Sequence, residues 1–245
     1  MSFSVHLPAE VSFLPLATDK PRLLARTQAR TNLASAYFQA GMPVFAMEEL
    51  DQALNLMPRH APALLLKALL YQQQRKADLA QTHFLMAFDS SPEEPQINLQ
   101  WGIFDCQNGQ FDSAFEKIKR AFAFTMGPEQ ARVSWLWGQC LRRNDQFEAA
   151  NVRMTEALMQ LPSLISEALD LAELKIQLGK LSEAEKILEN LNDSPSVSAQ
   201  SVWLALQLAE RQNQAVKKNH WGKMLGLHFS NSEQWRAYQE GAAHD

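Results

Sequence analysis

The sequence predicts an all-α protein, a right-handed superhelix of six tandem helix–turn–helix repeats. Three observations predict it. Pro58 and Pro92 stand 34 residues apart, and the chain before each reads small, bulky, small: Ala46, Leu50, Ala53, then Ala80, Phe84, Ala87. The same columns continue through three further copies, where a chance match would fail. Glycine and proline are sparse, nine and eleven in 245 residues, with the prolines mostly at repeat junctions, as in a chain of helices that stop at or before proline.

Thirty-four residues is the length of a tetratricopeptide repeat, two helices that cannot bury their apolar faces alone and so stack on neighbours. Five copies run over 27–60, 61–94, 95–128, 131–164 and 165–198, with a two-residue insertion before the fourth. Position 8 must be small for the two helices to approach, and it is Ala34, Ala68, Gly102, Gly138 and Ala172. Position 20 is Ala46, Ala80, Ala114, Ala150 and Ala184; position 27 is Ala53, Ala87, Ala121 and Ala157, with Leu191 breaking the column. The apolar plug at position 24 is Leu50, Phe84, Ile118, Met154 and Leu188. From 199 to about 233 the helical spacing persists, but Leu206 takes the place of the small residue, so this stretch reads as a capping sixth copy. Residues 1–24, with Pro8, Pro15 and Pro21, read as an extended leader, and the chain ends in a short tail. Trp101 and Trp137, beside the position 8 glycines, read as core, whereas Lys67 and Asp105 are charges at positions that this repeat usually fills with apolar groups.

Composition excludes several functions. A formal charge of −4 and a pI near 5.9 argue against nucleic acid, which recruits a basic face. The richest apolar run, Ala61 to Leu70, is interrupted by Lys67 and is too short to span a bilayer. Met1 to Pro21 shows neither a basic start nor a long apolar core, so no signal peptide is expected in it. The six histidines are scattered without metal-ligand spacing, and no phosphate-cradling glycine loop or nucleophile elbow occurs. Carboxylate pairs such as Glu48 with Glu49 and Glu183 with Glu185 fall on turns or outward faces. The expectation is therefore a protein without catalytic, metal or cofactor sites.

Several segments carry a closer resemblance: ARTQARTNLASAYFQAGMPVFAMEELDQAL, INLQWGIFDCQNGQFDSAF, WLWGQCLRRNDQFEAA, ALDLAELKIQLGKLSEAEKIL, and the tail SVWLALQLAERQ with FSNSEQWRAY. Over roughly residues 25 to 240 the chain resembles the type IV pilus biogenesis and stability lipoproteins, the PilF/PilW family of six-repeat pilotins. The resemblance implies a non-enzymatic scaffold at the periplasmic face of the outer membrane, assisting secretin assembly or localisation by protein binding and meeting other pilus components. Membrane attachment would come only through a lipid anchor absent from this chain. Some members carry cysteine where this chain has Cys106 and Cys140, so the resemblance also implies a disulfide between repeats three and four and an oxidising compartment. Two buried thiols acting as small apolar side chains are the alternative.

A solenoid's usual working surface is the concave face lined by the first helix of each repeat. Positions 5, 9 and 12 supply Phe38, Leu65, Leu69, Leu99, Ile103, Trp135, Leu169 and Ile176, an apolar stripe bordered by Gln39, Gln72, Gln73, Gln107, Arg142 and Arg143. The stripe suits an amphipathic or apolar segment of a partner, with Trp135 as anchor; in a tightly wound superhelix the same residues would be core instead. Lys20, Arg22, Arg26 and Arg30 form a basic stripe, either a solvated face or one that meets anionic head groups beside an anchor. The rival function is a cytoplasmic adaptor or co-chaperone that binds peptide segments without any pilus connection.

Overall fold

The computed structural model describes residues 19–242, and all their regular structure is helical. The described residues divide into two compact units, the first ending at Pro92 and the second beginning at Glu93. The first unit holds α1 (Asp19–Gln39), α2 (Pro43–Leu56), α3 (Ala61–Gln73) and α4 (Ala77–Ser90). The second holds α5 (Pro95–Gln107), α6 (Phe111–Ala123), α7 (Gly127–Arg143), α8 (Phe147–Gln160), a 3-10 turn (Pro162–Glu167), α9 (Leu169–Gln177), α10 (Leu181–Asn192), α11 (Ala199–Arg211), α12 (Ala215–His228) and α13 (Glu233–Ala242). Consecutive helices pack as antiparallel pairs.

The columns of small and bulky residues are the core. Ala34, Ala68, Ala172 and all five alanines at position 20 are fully buried, as are the plugs Leu50, Phe84, Ile118, Met154 and Leu188. At position 8 the fit is tight enough to exclude a methyl group in two pairs. A Cβ on Gly102 would stand 2.7 Å from Ile118 Cγ1, and one on Gly138 would stand 2.4 Å from Met154 Cγ. In these two pairs the plug presses on the position 8 residue, and the two positions fix the interhelical distance together.

The turn within each pair has one conformation throughout. A residue with positive φ recurs at position 15: Gly41, Arg75, Gly109, Asp145, Gly179 and Asn213. The following amide reaches back five residues in every case, as in Met42 to the Tyr37 carbonyl at 2.9 Å and Gln214 to the Ala209 carbonyl at 2.8 Å. This is the Schellman closure of a helix, and its last residue, such as Met42, Lys76 or Gln110, is already the N-cap of the next helix. Three residues thus reverse the chain, which brings the pair together before any tertiary contact is made. Gly109→Ala is expected to cost about 1–2 kcal/mol because an L side chain is strained in this conformation, and urea unfolding checks it; a variant that unfolds with the wild-type midpoint would show the turn to be unstrained.

One sequence expectation needs correction, and others gain detail. The extended leader does not reach residue 24, since α1 begins at Asp19 with Pro21 in its first turn, where a missing N–H costs nothing; residues 1–18 lie outside the described residues. The short tail contains α13, whose Trp235 and Tyr238 fill the space over Gly226 and Gly222 of α12. The fifth pair opens with the 3-10 turn, so α9 has only nine residues. The two-residue insertion lengthens α7, at 17 residues against 13 for α3 and α5.

The odd charges have partners. Lys67 reaches Asp51 at 2.6 Å. Asp105, fully buried, accepts hydrogen bonds from Ser113 Oγ and Lys117 Nζ, both at 2.7 Å, and Lys117 lies 4.1 Å above the buried Trp101 ring. Lys175 occupies the same repeat position as Asp105 with the opposite sign. Its ammonium, equally removed from water, donates to Asn151 Oδ1 at 2.8 Å and Glu183 Oε2 at 2.7 Å, and holds the Glu183 carboxyl below its usual range. A buried charge persists only when paired and hydrogen-bonded, so each pair retains one charge by supplying a complementary group from its second helix.

Candidate protein-binding groove

In the second unit, the first helices of three successive pairs, α5, α7 and α9, line a cavity of about 630 Å³. Its apolar lining is Ile103, Leu136, Phe147 and the Cys106–Cys140 disulfide; its polar lining is Gln107, Gln139, Arg142, Arg143, Asp170 and Gln177. The disulfide joins α5 to α7 with the two Cα atoms 5.9 Å apart, within the range that bridging requires. Neither cysteine is a free thiol.

Polar groups brace the walls. Arg142 pairs with Asp170 at 3.2 Å and Glu173 at 3.1 Å, and Gln139 donates to Asp170 at 3.0 Å, tying α7 to α9. On the other side, Arg143 reaches only the Gln107 main-chain carbonyl, at 3.5 Å, the limit of a hydrogen bond. Arg142 is thus neutralised by two carboxylates, while no acidic side chain pairs with Arg143 among the described residues.

Of the apolar stripe expected from the sequence, the structure brings only Ile103 to this cavity, with Gln107, Arg142 and Arg143 from its border. Trp135, expected as the anchor, is 3% exposed and packs in a core with Leu141, Met154, Leu164 and Leu171, so it belongs to the interior. Leu99 is likewise buried, against Ile118 and Val133. The reason is geometric: Leu99 and Trp135, both at position 5, turn into the contact between their own pair and the next, whereas Leu65 and Leu169 at the same position stay half-buried. Leu169 and Ile176 are half-buried against the C-terminal core. In the first unit, Phe38 packs half-buried against the core, Leu65, Leu69 and Gln72 are half-buried, and Gln39 and Gln73 are exposed. Of the basic stripe, Arg30 is taken by Glu49 at 2.7 Å, whereas Lys20, Arg22 and Arg26 are exposed.

Leu136, Gln139, Phe147, Asp170 and Gln177 were not among the expected groove residues. A signal for part of the set was present. Position 13 reads Gln39, Gln73, Gln107, Arg143, Gln177 and Arg211, six long hydrogen-bonding side chains in one column, and every one is exposed. Among the described residues no three His, Cys, Asp or Glu side chains converge as metal ligands, and no helix is long and apolar enough to cross a membrane.

No protein-family model matches the chain, and no curated protein does. Solved structures do. The chain is similar to PilW, described as a widely conserved type IV pilus biogenesis factor, with a TM-score of 0.76 and 23% identity over 87% of this chain and 98% of that one. It is similar to pilF of Pseudomonas aeruginosa, with a TM-score of 0.77 and 20% identity over 90% of this chain and 99% of that one. A tetratricopeptide repeat protein from Parabacteroides merdae gives a TM-score of 0.62 at 14% identity, over 89% and 86% of the two chains. Likeness at these identities is a likeness of fold, and the fold of this chain is a tandem array of tetratricopeptide helix pairs.

Proposed function

We propose that this chain is a non-enzymatic scaffold of type IV pilus biogenesis that binds the outer-membrane secretin and assists its assembly or localisation. The observation that carries the reading is the extent of the fold likeness. It covers 98% and 99% of PilW and pilF, whereas the likeness to yeast Tom70 covers 41% of that chain. The Parabacteroides merdae repeat protein also overlaps most of its length, 86%, but at a TM-score of 0.62, so the likeness to PilW and pilF is greater in both extent and geometry. The disulfide supports a periplasmic location, because such bonds persist in oxidising compartments. In this reading a lipid anchor holds the protein at the periplasmic face of the outer membrane.

The test replaces half-buried residues, which can change without emptying the core: Leu69→Asp in the first unit and Ile103→Asp in the second. Folded variants are expected to lower secretin multimers in cells severalfold while unassembled subunits accumulate. Unchanged multimers would remove these surfaces from the function, and unchanged multimers in a deletion strain would remove the secretin. Two free thiols in protein isolated from its own cell would favour the cytoplasmic adaptor instead.

A further inference from the structure

The cavity between α5, α7 and α9 is more polar than a site for a purely apolar helix, and its polar groups are ordered. Gln107, Arg143 and Gln177 stand at the same place in the last turn of three neighbouring helices, exposed, with a compact apolar floor of Ile103, Leu136 and Phe147 beside them. Helices packed side by side lie 8–10 Å apart, and an extended chain advances about 3.3 Å per residue. Successive rungs of the column therefore fall about three residues apart along a strand laid across the helices.

We propose that this cavity takes an extended internal segment of a partner protein in which an aliphatic or aromatic residue adjoins an acidic one. The apolar side chain would lie on the Ile103, Leu136 and Phe147 floor. The carboxylate would pair with Arg143, whose weak contact to the Gln107 carbonyl is readily exchanged. Gln177, able to donate and accept, would meet the main-chain groups beside it. Arg142 does not compete for the acid, because Asp170 and Glu173 already hold it. The volume of about 630 Å³ suits a few side chains rather than a whole helix. The inference rests on the preceding reading only in that the occupant is a protein.

The experiment uses the full oxidised chain and four fluorescein-labelled nine-residue peptides in a Gly-Ser background, amidated at the C-terminus. Their central pairs are Leu-Glu, Leu-Gln, Leu-Lys and Ser-Glu, and binding is read by fluorescence polarisation. Leu-Glu is expected to bind about tenfold tighter than Leu-Gln, the ratio that separates a charge-assisted hydrogen bond from a neutral one. Leu-Lys and Ser-Glu are expected to bind more weakly still. In Arg143→Gln the preference for Glu over Gln disappears, and in Arg143→Glu it inverts towards Lys. Arg143 is exposed, so both variants are expected to fold, and circular dichroism checks this. Equal binding of the three Leu peptides, or no binding of any below millimolar concentration, would overturn the proposal. Charge-selective binding together with normal secretin assembly in an Arg143→Glu strain would leave the pocket standing and count against the secretin. Lost assembly without charge selectivity would do the reverse.

Discussion

Replacing Cys106 or Cys140 by serine is expected to lower the unfolding free energy by about 3–4 kcal/mol, the loop-closure contribution for a bridge across 34 residues. Both cysteines are buried beside Ile118 and Val133, so each serine also leaves a hydroxyl in an apolar neighbourhood. The two single variants should lose nearly the same amount, because either substitution removes the whole bond, and the double variant should lose slightly more because it buries a second hydroxyl. Urea unfolding of the three variants, and of the parent with and without reductant, measures this directly. A parent whose midpoint is indifferent to reductant would show that helix stacking alone holds α5 against α7. The functional consequence follows from position: the bond is part of the cavity lining, so its loss should loosen peptide binding as well as stability.

Phe84→Ala is expected to cost about 3–5 kcal/mol, since the ring is fully buried and its removal leaves a hole between α3 and α4 that the backbone cannot collapse to fill. The comparison that gives this meaning is Phe84→Met, expected to cost under about 1.5 kcal/mol as a near volume-conserving change. Met154 already occupies the equivalent place in the fourth pair. Equal losses from both substitutions would indicate that an aromatic contact, rather than filled volume, is what position 24 supplies.

The architecture was legible because it depends on side-chain size alone. In the first five pairs closure sets a small residue at position 8 against a large one at position 24, and that requirement is written into each of these copies independently. The site was less legible because burial depends on how neighbouring pairs lean on one another. Trp135 and Ile103 look equivalent on a helical wheel, yet one turns inward and the other lines the cavity. The turn conformation was half visible, through Gly41, Gly109 and Gly179; Arg75, Asp145 and Asn213 adopt it without glycine's freedom, compelled by the tight reversal on either side. Asp105 and Lys175 could not be explained from their own repeat position, because their partners arrive from the second helix of the pair. The sixth pair departed from the pattern by inversion, with Leu206 at position 8 and Gly222 at position 24, and the ring that settles on Gly222 comes from α13.

That last helix has a consequence for solution behaviour. A stack of helix pairs has no intrinsic stopping rule: any pair that exposes a bare packing face invites another, whether from the same molecule or a neighbour. Trp235 and Tyr238 are seated in the hollows left by two glycines on α12, so one terminus is plugged by a wedge of the chain's own making. Shortening the protein before residue 233 would unstopper it, and filament-like growth at high concentration is the behaviour such a truncated molecule would be prone to.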